Sequence, residues 1–180
     1  MIEKWDEQPY LQDPNVMGDE DFNDWNWEHE LSRNDLPWRR QLIAVAAVQD
    51  GSYKPIGVVQ IIDPLQEESH YWGSSTEDLP LEDTRALDIW IGEPEYLGRG
   101  YGTQTMKQAL EGSFVFGDTT VQAAIVDPMV GNPSAHKFYQ SVGFQPLGKR
   151  SFGPDECLVH RVTRQQYYAK HPKNPQKHNE

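Results

Sequence analysis

Apolar residues along the chain fall into short runs separated by polar breaks rich in proline and glycine. Spacing within each run sets the element it predicts. Residues 41–48 (QLIAVAAV) and 56–62 (IGVVQII) read as buried strands joined by a hairpin turn at Asp50-Gly51-Ser52. A third strand, 86–91 (ALDIWI), leads into Gly92-Glu93-Pro94 and a glycine-rich stretch at 97–102. From 101 to about 116, Met106, Ala109, Leu110 and Phe114 recur at helical spacing. Residues 120–126 (TVQAAIV) form another buried strand, stopped by Asp127-Pro128. Residues 133–142 read as a helix with Ala135, Phe138, Tyr139 and Val142 on one face and Gly143 as its cap. A last strand pair, 144–149 and 157–162, turns around Gly153-Pro154.

Outside these runs the pattern weakens. The first 24 residues break too often for long regular structure, and 25–33 (WNWEHELSR) fits a short amphipathic helix capped by Asp24 and closed by Pro37. A polar loop carrying His70, Tyr71 and Trp72 spans about 64–84, and the chain from about 168 reads as mobile. The order of elements predicts a single α/β domain, a mixed and mostly antiparallel sheet flanked by helices. Its divisions are an acidic N-terminal segment at 1–37, a core at 38–163 and a basic mobile tail at 164–180.

At 180 residues, the chain has the length for one full core. The net charge of −12 argues against a general nucleic-acid-binding surface. No apolar run is long enough to span a membrane, and no short one follows a basic start, so a cytoplasmic location is expected. Residues 1–35 hold eleven acids against two bases, whereas 136–180 hold eight bases against three acids. Asp19, Glu20, Asp21 and Asp24 beside Trp25 and Trp27 could attract a polycation or simply face solvent. The lone cysteine, Cys157, excludes an intrachain disulfide, and no metal-ligand spacing occurs, so no metal is expected.

Chemistry concentrates in two places. Gly98, Gly100 and Gly102 alternate between a strand and a helix start, where backbone N–H groups can face a phosphate and Arg99 adds a positive charge. The second is Asn132-Pro133-Ser134-Ala135-His136-Lys137-Phe138-Tyr139, closing in Gly143-Phe144. This ordered pair resembles the GNAT superfamily of acetyl-CoA-dependent N-acetyltransferases. Within it the chain looks most like the aminoglycoside 6′-N-acetyltransferases. That likeness rests on Lys54-Pro55-Ile56-Gly57-Val58-Val59-Gln60, on Asp88 followed by Ile91-Gly92-Glu93-Pro94, on 97–103 and on Asp127-Pro128. Hydroxylysine acetyltransferases of siderophore pathways share much of the pattern.

The resemblance implies acetyl-CoA as donor, held by Trp90, Ile91, Gly98, Arg99, Gly100, Tyr101, Gly102, Thr103, Asn132, Ala135 and Lys137. It implies Asp88 as base or ammonium anchor and Tyr139 as acid toward the departing thiolate. An acceptor amine would meet Asp24, His70, Tyr71, Trp72, Asp88 and Asp127. Each has a plainer alternative: a core tyrosine, a helix-capping asparagine, an Asp88–Arg85 ion pair, a solvent-exposed loop histidine. Cys157 has no evident partner, which favours direct transfer. The family usually opens with a strand and a complete first helix. The chain starts near the end of that helix, so an uncovered sheet edge is expected, to be relieved by a homodimer or by the acidic segment. The implied setting is a cationic small-molecule acceptor and antibiotic resistance; the competing class is a non-enzymatic acyl-CoA-binding module on the same fold.

Overall fold

The computed structural model describes residues 36–66, 79–116 and 120–172. The helix expected at 25–33, the acidic cluster around Asp24, and His70, Tyr71 and Trp72 lie outside the described residues. Six strands form one sheet: β1 (Arg39–Ala47), β2 (Tyr53–Ile62), β3 (Thr84–Ile91), β4 (Ala123–Val126), β5 (Gln145–Phe152) and β6 (Asp155–Thr163). Their spatial order is β1-β2-β3-β4-β6-β5. Every neighbouring pair is antiparallel except β3–β4. The α-helices among the described residues are α1 (Tyr101–Glu111), α2 (Pro133–Val142) and α3 (Arg164–Lys170). Among the described residues no helix is long and apolar enough to cross a membrane.

Alternation along the strands sorts the two faces. Leu87 on β3 packs with Met106, Leu110 and Phe114 of the α1 region and Tyr139 and Val142 of α2. Ala86 points the other way, into a cluster with Ile62, Ile125, Cys157 and Val159. The first is the helical face; the second, whose cluster is also buried but includes no helical residue among those described, is called the open face. The Asp50-Gly51-Ser52 hairpin forms as the sequence predicts. Gly51 takes φ +83°, and the Asp50 carboxylate accepts from the Ser52 amide and hydroxyl at 2.8 and 2.6 Å.

Among the described residues β1 occupies an edge of the sheet, with Leu42, Ile43 and Val45 exposed. Two expectations need correction. The helix from 101 ends at Glu111 and continues as a π-helical turn, Gly112–Phe116. The strand expected over 120–126 begins only at Ala123, because the amides of Gln122 and Ala123 both turn to the Asp83 carbonyl.

The larger correction concerns the C-terminal end. Residues 164–170, expected as the start of a mobile tail, form α3. Thr163 caps it, accepting from the Gln166 amide, while the Gln166 side chain accepts in return from the Thr163 amide. Tyr167 is fully buried in the helical-face core, and its hydroxyl donates to Glu111 at 3.1 Å. Its neighbours Phe114 and Tyr168 pack against it at 6.0 and 5.3 Å between ring centroids. A pair of tyrosines among polar residues, with a capping box ahead of it, was the overlooked signal. Replacing Tyr167 by Ala should cost about 3–5 kcal/mol of stability in urea unfolding. A loss within about 0.5 kcal/mol, the range for an exposed substitution, would return this segment to a loose tail.

Candidate active site

The sheet splits between β3 and β4. They pair in parallel only through Thr84–Ala123, Arg85–Ala124 and Ala86–Ile125. Beyond Ala86, β3 stays with β2 as far as Ile91–Gly57, and the amides of Gly92 and Glu93 both donate to the Ile56 carbonyl. Beyond Ile125, the chain follows β6 instead. Val126 pairs with His160, the Leu158 amide donates to the Pro128 carbonyl, and Met129 bridges to Cys157. The two halves diverge, and the backbone of 87–91 that would face β4 borders a gap.

Gly57 lets β2 and β3 close up at this point. A Cβ there would collide with the Trp90 carbonyl oxygen, so no other residue fits without moving the backbone. Below the gap, Gly98 and Gly100 take φ +69° and +85°, and a Cβ on either would meet nothing within 4 Å. The turn is therefore open above α1. Gly100 caps that helix without a side chain. The first bond of the helix runs from the Gln104 amide to the Gly100 carbonyl, so the amides of Tyr101, Gly102 and Thr103 lack intrahelical acceptors. Such an end attracts an anion. Arg99 is exposed beside it. Gly102 brings α1 close to its neighbours: a Cβ there would contact Phe138 of α2 at 3.5 Å and Ile91 of β3 at 3.7 Å.

A clamp holds the approach to this turn. Lys54 Nζ lies 2.9 Å from Glu93 and 2.5 Å from Glu95, and stands over the Tyr96 ring at 5.3 Å. The two carboxylates push its pKa upward. Tyr96 meets Tyr101 edge to face at 5.0 Å, which links the clamp to the start of α1. A cleft of about 220 Å³ between β1 and α1 borders Tyr101 and is lined by Val45, Ala46, Gln104 and Gln108, without Asp88 or Tyr139.

At the mouth of the gap three expected residues come together. Tyr139 is buried, and its hydroxyl pKa is raised by burial first and then by the negative charges of Asp88 and Asp127. It stays protonated across the neutral range. Asp88 is exposed on the open face, and Asp127 is half-buried just past β4. Arg85, the alternative partner for Asp88, projects from the other face of β3. It lies 3.6 Å from Asp63 and donates to the Thr84 carbonyl. Asn132 caps α2, accepting from the Ala135 amide at 3.0 Å. Trp90 and Ala135 are half-buried, and Lys137 is exposed. Cys157 is buried, 3.8 Å from the Met129 sulfur.

Sequence reading passed over two further groups. His160 on β6 is fully buried between His136, stacked on it at 5.2 Å, and Tyr139 at 6.3 Å. Its Nδ1 lies 2.7 Å from the Leu158 carbonyl, and its Nε2 is buried without a hydrogen-bond partner among the described residues. Burial lowers its pKa. Gln60 on β2 is buried directly opposite Asp88. Each interrupts an apolar run, Gln60 alone in IGVVQII and His160 beside Arg161 in CLVHRV, a signal like the one that exposed Asp88.

The family model described as an acetyltransferase (GNAT) domain matches residues 1–152, so the match extends over the acidic segment as well as the strands that form the gap. Among solved structures, aminoglycoside acetyltransferase AAC(6')-Ib in complex with coenzyme A and kanamycin superposes with a TM-score of 0.71 at 21% identity. That match covers 95% of this chain and 92% of the other. An uncharacterized protein from Bacillus halodurans gives 0.70 at 14% identity, over 94% and 81%. A chimera of the spermidine N-acetyltransferase from Vibrio cholerae and hSSAT gives 0.54 at 16% identity, over 78% of each chain. At these identities the likeness is one of fold.

Two outcomes check the local account. Asn132→Ala should cost about 1 kcal/mol in urea unfolding, the usual loss of an N-cap. For His160, the folded pKa lies below the unfolded value of about 6.5, so the unfolded chain binds the extra proton first and stability falls as pH drops below about 6.5. Replacing His160 by Phe should flatten the fall in melting temperature between pH 7.5 and 5.5. An unchanged slope would mean that His160 does not remain neutral in the fold.

Proposed function

Because the chain belongs to the GNAT acetyltransferase family, we propose that it transfers acetyl directly from acetyl-CoA to a primary amine of a cationic small molecule, foremost the 6′-amine of an aminoglycoside. The observation that carries this reading is the convergence of Asp88, Asp127 and Tyr139 at the mouth of the β3–β4 gap. When bound, acetyl-CoA supplies a thioester carbonyl. The glycine turn fits its pyrophosphate, since Gly98 and Gly100 leave free space where side chains would stand and the amides of 101–103 point out of the helix end. Arg99 adds charge there, and Lys137, on the exposed side of α2, is a second basic residue for the phosphates. The backbone of Trp90 and Ile91 and the α2 start at Asn132 and Ala135 line the way for the rest of the donor.

Acceptor chemistry falls to the carboxylates. An ammonium arriving from the open face is attracted by Asp88 and Asp127. Asp88 takes its proton, directly or through water, so that the nitrogen presents a lone pair. Tyr139 keeps its own proton because burial and the two carboxylates oppose its loss, and it holds that proton where the departing sulfur needs a donor. Cys157, buried on the open face beside Met129, takes no part, which is the basis for direct transfer. His70, Tyr71, Trp72 and Asp24 remain candidates for the outer acceptor wall.

The aminoglycoside assignment draws on the kanamycin-bound neighbour, and a polyamine is favoured next by the spermidine N-acetyltransferase neighbours. A hydroxylysine-type acceptor comes after these. Release of CoA thiol with acetyl-CoA separates them across kanamycin, tobramycin, hydroxylysine and spermidine. Kanamycin or tobramycin should turn over, and Asp88→Asn and Tyr139→Phe should each lower kcat about 10²- to 10⁴-fold, the usual loss of an acid or base. Binding of acetyl-CoA without turnover of any amine would overturn the acceptor assignment and favour a binding module.

A further inference from the structure

Strand register aligns a polar row across the open face. Gln41 on β1 pairs with Gln60 on β2, and Gln60 pairs with Asp88 on β3. Directly opposed residues on neighbouring strands project from the same face, so the three side chains stand side by side. The flanking rows differ. One is Arg39, Ile62 and Ala86; the other is Ile43, Val58 and Trp90. A Gln-Gln-Asp row therefore interrupts a largely apolar surface at the level of the candidate base.

Burial makes the row unusual. Gln60 is 7% exposed. Both amide atoms of Gln41, Oε1 and Nε2, are buried with no hydrogen-bond partner among the described residues. An amide in that condition costs stability, and a Leu of similar length would fill the space without the cost. A neutral amide offers both a donor and an acceptor, which suits a hydroxyl and matches poorly with a methylene chain. Two strand spacings separate Gln41 from Asp88, about 9 to 10 Å.

We propose that Gln41 and Gln60 are specificity-determining residues of the acceptor site, selecting a polyhydroxylated amine, an amino sugar or aminocyclitol, over a polyamine. The reacting amine lies at Asp88, and the hydroxyls of the same molecule supply the partners that the Gln41 amide lacks and meet Gln60 beside it. Trp90, half-buried in the next row, supplies an apolar surface for the ring faces between those hydroxyls. The inference rests on the acetyltransferase reading above and narrows it to one acceptor chemistry.

The test is calorimetric binding of kanamycin and of spermidine to CoA-saturated wild type, Gln41→Leu and Gln60→Leu. CoA affinity serves as the folding control, and thiol release is measured alongside. Kanamycin affinity should fall about tenfold in each variant, the loss of one hydrogen bond, while spermidine affinity stays within twofold. In turnover the change should appear in the acceptor KM, with the acetyl-CoA KM unmoved. Gln41→Leu should also melt no lower than wild type, since it removes an unpartnered amide. The proposal is overturned if kanamycin binds both variants as it binds wild type, if both amines weaken together, or if wild type binds spermidine and not kanamycin. In that last case, thiol release with spermidine would leave the acetyltransferase reading standing while the specificity claim falls.

Discussion

Three residues of parallel pairing decide what this sheet can do. β3 and β4 meet at Thr84, Arg85 and Ala86, and then each follows its other neighbour. β3 is held to β2 through Ile91 and by two amides on the Ile56 carbonyl, while the chain after β4 is held to β6 as far as Met129. The pantetheine arm of the proposed donor, acetyl-CoA, carries amides and carbonyls of its own, which suits a seam between strand edges.

The rest of the site follows from the split. The helices stay on one face, so Tyr139 reaches the gap from α2 while Asp88 reaches it from the open face of β3. Two groups on opposite sides of an intact sheet would be insulated from each other. Here burial first, and then the charges of Asp88 and Asp127, hold the Tyr139 hydroxyl protonated. Gly57 and the Lys54 clamp keep the β2–β3 edge closed and the glycine turn anchored, so the opening is confined to one seam.

Much of this was legible in the residues. Alternation and turn chemistry located the strands, and an acid inside ALDIWI marked Asp88 because a carboxylate in an apolar strand needs a reason. The same argument applied to Gln60 and His160 would have found both, but a neutral amide or imidazole in a strand stands out less than a charge. The Gln41–Gln60–Asp88 row could not be read from sequence, because register between strands 19 to 28 residues apart is set by tertiary packing. The docking of α3 was hidden for a related reason: Tyr167 and its capping box look polar until Phe114 and Glu111 are placed beneath them.

The central claim is that the seam between β3 and β4, with the glycine turn below it, is where acetyl-CoA is held. Amide hydrogen exchange with and without CoA tests it most directly. The account predicts new protection at 98–103, at 87–91 and around Asn132, with β1 and β5 unchanged. Protection confined to the β1–α1 cleft, or none at the glycine turn at saturating CoA, would contradict it.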